Sequence, residues 1–183
     1  MMEDTVHGEW LQDGGGVVIK GSASGVLIRS HRLGGGEVAR QDTRTPDHLY
    51  ISTFLSCEEA HFAISQGWLK TSGTAGTVRL IQQSIFEELW NRHMWVTPGL
   101  KFGANMLAYQ GSPDQYHSTY IIIVKQSDEK IPVLDIISVG RLATAVNKLV
   151  VVAACDSDGT GTRFLTIKWN QRASNAPRDP VTL

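Results

Sequence analysis

Three side chains in the second half of the sequence could together perform acid–base chemistry on a phosphodiester: Tyr109, His117 and Lys148. Cleavage by a ribose 2′-hydroxyl needs a base for that hydroxyl, an acid for the leaving oxygen and a cation for the charge of the transition state. A histidine, whose ordinary pKa lies near 6.5, exchanges protons near neutrality, whereas a tyrosine, near 10, needs a neighbouring positive charge to do so. The three residue types therefore suit metal-free cleavage of RNA.

Each of these residues, taken alone, also has an ordinary structural interpretation. A tyrosine on a strand usually packs, a histidine after a Ser-Pro-Asp turn can bond to backbone groups, and a lysine at a helix end complements the helix dipole. The other histidines show no spacing typical of a metal site, and Cys57 and Cys155 lie far apart in the chain. We predict two reduced cysteines, no metal and no cofactor.

The elements that must position these side chains follow from the apolar pattern between residues 80 and 169. A helical stripe from residue 80 to 89 ends before a turn at 95–99. A strand, strand, helix, strand, strand pattern follows at 104–109, 119–124, 132–146, 149–154 and 163–169. Gly140 should interrupt the helix and could divide it in two. The strand at 149–154 is nearly continuous in apolar residues, so both its faces should be covered.

The first half of the sequence predicts a smaller mixed lobe. Its glycine-rich part, from Gly14 to Gly36, is typical of short strands joined by tight turns and lacks the pattern of a phosphate loop. Ser56 and Glu59 predict a capped helix over 56–66 that ends at Gly67. Small polar residues at 71–77 indicate a boundary. We expect an α+β protein, with an N-terminal α+β lobe in 1–74 and an α/β nuclease-like lobe, a central mixed sheet flanked by helices, in 75–183.

Composition limits the classes of function that remain. The chain is 42% hydrophobic and 19% charged, as in folded soluble proteins, and its longest apolar run, 149–155, falls far short of the about 20 residues of a membrane span. The first residues do not resemble a secretory signal, so we expect an intracellular protein, nuclear in a eukaryote or cytoplasmic in an archaeon. A net charge of −1 argues against binding of nucleic acid through overall basicity, so any RNA contact must be local.

Two blocks of sequence carry a resemblance to a known family. Gly-Leu-Lys-Phe-Gly-Ala-Asn-Met-Leu-Ala-Tyr at 99–109 with Ser-Pro-Asp-Gln-Tyr-His-Ser at 112–118, and Gly-Arg-Leu-Ala-Thr-Ala-Val-Asn-Lys at 140–148, resemble the core of the tRNA-splicing (tRNA-intron) endonucleases. The chain is most similar to their eukaryotic catalytic subunit that cuts the 3′ splice site. The resemblance implies a metal-independent endoribonuclease subunit that cleaves precursor tRNA at exon–intron junctions and leaves 2′,3′-cyclic phosphate and 5′-hydroxyl ends.

The resemblance also implies roles for particular residues and partners. Tyr109 would be the general base, His117 the general acid and Lys148 the cation, while Arg141 and Trp169 would grip an unpaired bulge base by cation–π stacking. Homologous endonuclease subunits would complete a homo- or hetero-oligomeric, tetrameric assembly. The acidic turn at 156–162 is similar in place to a loop that docks on a neighbouring subunit in archaeal members, although Asp and Gly are also ordinary turn residues.

The sequence departs from the family pattern at several positions, none of them in the Tyr, His, Lys set. The family usually has an acid where Asn105 stands and a basic residue where Asn147 stands. One alternative is a structural subunit of the same assembly, which scaffolds a catalytic neighbour without cutting. Another is a generic RNA-binding module, which would not need Tyr, His and Lys together.

Overall fold

A computed structural model describes residues 5–34, 37–41 and 49–168 as two five-stranded mixed sheets with four α-helices. The first sheet contains β1 (Val6–Trp10), β2 (Gly16–Lys20), β3 (Glu37–Gln41), β4 (Leu49–Ser56) and β5 (Leu69–Ser72), with α1 (Ser22–Ser30) and α2 (Cys57–Ser65) between its strands. The second contains β6 (Trp95–Pro98), β7 (Met106–Tyr109), β8 (Tyr120–Gln126), β9 (Leu149–Cys155) and β10 (Arg163–Ile167), with α3 (Leu80–Asn91) before β6 and α4 (Val133–Ala145) between β8 and β9. The predicted α+β class is confirmed.

The second sheet has the strand order β10-β9-β8-β7-β6, in which β8 and β9 run parallel and the other neighbours run antiparallel. Parallel neighbours need a crossover connection, and α4 supplies it. The predicted order of elements after residue 104 is confirmed, with ends that move by two residues at most.

Strand β9 is buried on both faces, as its apolar sequence predicts. Val150 belongs to a small buried cluster with Leu107, Ile121 and Ala143, which is the face covered by α4. Val151 belongs instead to a larger cluster that includes residues of α3. Layers of helix therefore cover both sides of this strand.

Helix α2 begins with the capping box that the sequence predicts. The Glu59 amide donates to Ser56 Oγ over 3.3 Å, and the Ser56 amide donates to Glu59 Oε2 over 2.8 Å. At the other end, Gly67 adopts a φ of 78°, in the left-handed region that glycine occupies without strain.

Three local predictions were wrong. The turn expected at 95–99 is instead strand β6, which pairs with β7. Residues 22–30 form a helix rather than strands and turns, because Ile28 is fully buried and Gly25 allows a close approach to Thr53. A Cβ at Gly25 would lie 2.4 Å from Thr53 Oγ1. Gly140 does not divide α4, which is continuous from Val133 to Ala145. Glycine costs about 1 kcal/mol relative to alanine in a helix, and this one lies on the buried side of α4.

The larger buried cluster runs through both sheets. Phe62 of α2 lies with its ring centroid 5.8 Å from that of Phe86 and 4.8 Å from that of Trp90, both on α3. Among the residues that the structure describes, no helix is long and apolar enough to cross a membrane.

Candidate active site at one edge of the second sheet

The register of the second sheet brings the three predicted catalytic residues to one edge. Ala108 pairs with Tyr120, and Tyr120 pairs with Leu149. Tyr109, at the C-terminal end of β7, and Lys148, just before β9, therefore lie on the same side of the sheet's pairing, one on each side of Thr119. The Thr119 amide donates to the Ala108 carbonyl, and the Leu149 amide donates to the Thr119 carbonyl, each over 3.0 Å. Since neighbouring strands lie about 4.8 Å apart, the backbones of Tyr109 and Lys148 flank the 117–119 segment at a separation of about 10 Å.

Lys148 is placed by the way α4 ends. Asn147 adopts a φ of 53°, the Lys148 amide donates to the Ala143 carbonyl over 2.8 Å, and the Asn147 amide donates to the Thr144 carbonyl over 3.3 Å. This pair of bonds around a left-handed residue is a Schellman motif, for which asparagine is the usual substitute for glycine. The position that is usually basic in the family therefore has a structural task in this chain.

The Lys148 side chain is half-buried and turned toward the loop that carries His117. Its Nζ donates to the Ser118 carbonyl over 2.8 Å and lies 5.5 Å from the centroid of the Phe102 ring. Phe102 belongs to the 3₁₀ turn at Leu100–Phe102, which packs against the cluster on the α4 side of the sheet. The ammonium group thus stands next to the backbone that follows His117.

Tyr109 projects from the same side of the sheet. It shares a face with Leu107 and packs, half-buried, against the cluster that contains Leu107 and Ala143. Its hydroxyl shares a hydrogen bond of 3.2 Å with Thr97 Oγ1 on β6. A fixed, partly exposed phenol suits proton transfer better than a mobile one, because the hydroxyl position is set before a substrate arrives.

His117 lies in the loop between β7 and β8 and is exposed. The loop begins with a turn in which the Gln115 and Tyr116 amides donate to the Ser112 carbonyl, each over 2.9 Å. It ends at the buried Ser118, where Lys148 is bonded. The structure thus brings Tyr109, the His117 loop and Lys148 together at one sheet edge.

Of the two predicted RNA-binding residues, the structure describes only one. Arg141 is exposed on α4, whereas Trp169 lies outside the described residues. The residue before it, Lys168, lines a cleft of about 160 Å³ together with Lys148 and Asn147. A second cation therefore borders the candidate site despite the net charge of −1.

Sequence reasoning missed several contacts of this site. Thr97 and Phe102 were given no role, and the β6–β7 pairing that brings Thr97 near Tyr109 depends on the turn between those strands. Asn105 Oδ1 accepts a hydrogen bond of 2.8 Å from the Val124 amide, so the amide oxygen at this position holds β8 in place. Within the described ranges, no group of three or more His, Cys, Asp or Glu side chains is arranged to hold a metal ion.

The fold has two mixed sheets, and Tyr109, the His117 loop and Lys148 lie together at one edge of the second sheet. Comparison with known families indicates which class of protein has these features. Residues 80–168 match the model of the tRNA intron endonuclease, catalytic C-terminal domain. Over these residues, which make up just under half of the chain, the sequence is similar to the tRNA intron endonuclease family.

Named relatives of this family match about half of the chain. The tRNA-splicing endonuclease subunit Sen34 of Mus musculus is 32% identical over 89 residues, which cover 49% of this chain and 28% of the relative. The tRNA-splicing endonuclease of Hyperthermus butylicus is 32% identical over 87 residues, which cover 48% of each chain. That of Saccharolobus solfataricus is 30% identical over 89 residues, 49% of each chain. The chain thus spans about half the length of these archaeal relatives and less of the mouse relative.

Proposed function

We propose that this chain is a catalytic subunit of a tRNA-splicing endonuclease, which cleaves precursor tRNA at exon–intron junctions without a metal ion. The observation that supports the proposal most is the meeting of Tyr109, the His117 loop and Lys148 at one sheet edge. That edge lies within the segment matched by the model of the family's catalytic domain.

In the proposed reaction, the phenolate of Tyr109 takes the proton of the ribose 2′-hydroxyl, whose oxygen attacks the adjacent phosphorus. The bond from phosphorus to the 5′-oxygen breaks, and the imidazolium of His117 gives its proton to that oxygen. Lys148 stabilises the negative charge on the phosphorane oxygens. The products are a 2′,3′-cyclic phosphate and a 5′-hydroxyl, and water takes no part as nucleophile.

Substrate and partners form a second part of the proposal. Arg141, exposed on α4, would stack on an unpaired base of the precursor tRNA, together with Trp169. Homologous subunits would complete a tetrameric assembly, homomeric or mixed. Support comes from β10, which ends the second sheet with Leu165 65% exposed, and from the acidic turn that precedes it. Among the described residues β10 is an edge strand, and an edge strand with an exposed leucine favours pairing with another chain.

A structural subunit of the same assembly is the second candidate. The observation that favours it is that two of the reacting groups already have partners within the chain: Tyr109 shares a hydrogen bond with Thr97, and Lys148 donates to the Ser118 carbonyl. A substrate phosphate would have to compete with both. Catalytic hydrogen bonds often form only in the complex with substrate, so both candidates call for the same assay.

The test is cleavage of intron-containing tRNA in EDTA, by the chain alone and with homologous subunits, followed by end-group analysis. We expect His117→Ala and Lys148→Ala to cut at least about a hundredfold more slowly than wild type, the usual scale for such groups. His7→Ala and Lys70→Ala, exposed on β1 and β5, serve as matched controls and should keep the wild-type rate. If both site variants cut like wild type where no other subunit is active, the catalytic proposal is wrong.

A further inference from the structure

An ion pair connects the first half of the chain to the loop that carries His117. Arg29, in the last turn of α1, pairs through its guanidinium with the carboxylate of Asp114. Asp114 precedes His117 by three residues and belongs to the turn that opens the loop. The pair reaches the candidate site from residues that lie outside the segment matched by the family model.

The arginine side of this pair stands on a fixed support. Ile28 is fully buried, and directly after the helix Arg32 donates to the Trp90 carbonyl over 2.9 Å and stacks over the Trp90 ring at 4.3 Å. The indole Nε1 of Trp90 donates in turn to the His31 carbonyl over 2.9 Å. The end of α1 is thus bound to α3, and the side chain of Arg29 is only 18% exposed, which limits its freedom to move.

The aspartate side of the pair is the more exposed one, at 49%. Two anchors therefore hold the loop on either side of His117: the Arg29 pair at Asp114, and the bond from Lys148 to the Ser118 carbonyl. Between them the Tyr116 ring packs so closely on Gly111 that a Cβ there would lie 2.5 Å from Cε2. An exposed histidine between two fixed points has little room to leave its position.

We propose that Arg29 is a positioning residue for cleavage: through Asp114 it holds the loop so that His117 meets the leaving 5′-oxygen. The proposal rests on the proposed function, in which His117 is the general acid. It gives the N-terminal half a part in the chemistry through the contact of Arg29 with the loop. General acid catalysis depends steeply on placement, so a loosened loop lowers the rate and leaves RNA affinity unchanged.

The size of the effect follows from the exposure of the pair. Partly exposed ion pairs contribute up to about 1 kcal/mol, which corresponds to a change of about fivefold in the equilibrium constant between the paired and the released loop. We expect Arg29→Gln and Asp114→Asn each to lower the single-turnover rate at saturating precursor tRNA by up to about fivefold, with unchanged Kd. The swapped pair, Arg29→Asp with Asp114→Arg, should recover most of the loss. Lys20→Gln, which breaks an exposed pair with Glu9 in the same lobe, is the control.

The rates are measured in an assembly in which this chain has the only intact Tyr, His, Lys set, and again with His117→Ala in place. A positioning role predicts that Arg29→Gln and Asp114→Asn have no further effect once His117 is gone. Hydrogen exchange in the free protein should rise at residues 112–118 for both variants and stay unchanged for Lys20→Gln.

Three results would overturn the inference. The first is a wild-type rate for both single variants while His117→Ala remains inactive, which would leave the proposed function standing. The second is an equal loss in the His117→Ala background, which would mean general damage. The third is a higher Kd for precursor tRNA in the single variants that the swapped pair does not restore, which would mean that Arg29 contacts RNA directly. A wild-type rate for His117→Ala itself would instead remove the proposed function.

Discussion

The left-handed residue before Lys148 offers a sharp test of how the site is built. Asn147 is exposed, so its replacement changes little packing, and its φ of 53° sets the direction in which the chain leaves α4. The left-handed conformation costs an ordinary L-residue about 1–2 kcal/mol, most of all a β-branched one, and costs glycine nothing. We therefore expect Asn147→Val to lower the free energy of unfolding by about 1–2 kcal/mol, or the Tm by about 2–8 °C. Asn147→Gly should match wild type.

The same substitution should also slow cleavage. If valine moves the backbone out of this conformation, the Lys148 amide loses its hydrogen bond to the Ala143 carbonyl. The Lys148 ammonium group then moves away from the Ser118 carbonyl. A displacement of about 1 Å can cost up to about a hundredfold in rate. Urea unfolding gives the stability, and single-turnover cleavage at saturating RNA gives the rate.

A matched control exists on α3. His93 is exposed, has a φ of 62°, and occupies the same place in a Schellman motif in which the Met94 amide donates to the Leu89 carbonyl over 3.1 Å. His93→Val should lose as much stability as Asn147→Val and keep the wild-type rate. Equal stability of the valine and glycine variants at 147, or an equal loss of rate at 93, would refute this reasoning.

Other predictions address the base, the core and the assembly. Tyr109→Phe should keep the Kd for RNA and cut at least about a hundredfold more slowly, and an unchanged single-turnover rate would remove Tyr109 as base. Burial raises the pKa of the Glu59 carboxyl from 4.5 to about 7, against the hydrogen bonds that lower it. A pKa raised in the folded state gives stability that is present below about pH 4.5 and lost as the pH rises through 7. The free energy of unfolding should therefore fall by up to about 3 kcal/mol over that range. Glu59→Gln should flatten this dependence in urea titrations, and an unchanged slope would contradict it. Light scattering should show an oligomer that Asp156→Lys with Asp158→Lys weakens, most visibly at low salt; a wild-type monomer without partner chains would argue against assembly.

The parts of the fold that the sequence predicts are those that depend on residues close together in the chain. The capping box at Ser56 and Glu59, the apolar run of β9 and the left-handed Gly67 each express a preference of a few neighbouring residues. The resemblance assigns Tyr109, His117 and Lys148 to one reaction. The strand register places Tyr109 and Lys148 on either side of the loop that carries His117, while the roles of the three residues in cleavage stay predictions.

The parts that were not predictable depend on contacts between distant residues. Helix α1 is stabilised by the burial of Ile28 and by the close fit of Gly25 against Thr53. No pattern within 22–30 indicates the contact with Thr53. The pair of Arg29 and Asp114 joins residues that are far apart in the chain, and single charges at such a distance have no spacing to recognise. Tertiary packing outweighs local propensity at such places.

The buried cluster shared by α2 and α3 has a consequence for the link between the two sheets. Residues 73–79 join β5 to α3 without helix or strand, and most of them are exposed, which makes this link a favourable place for a protease to cut. The packing of Phe62 on Phe86 and Trp90 does not depend on that link. A nicked chain should therefore stay together as a complex of two fragments, and the two pieces, made as separate polypeptides, should reassemble into one folded body.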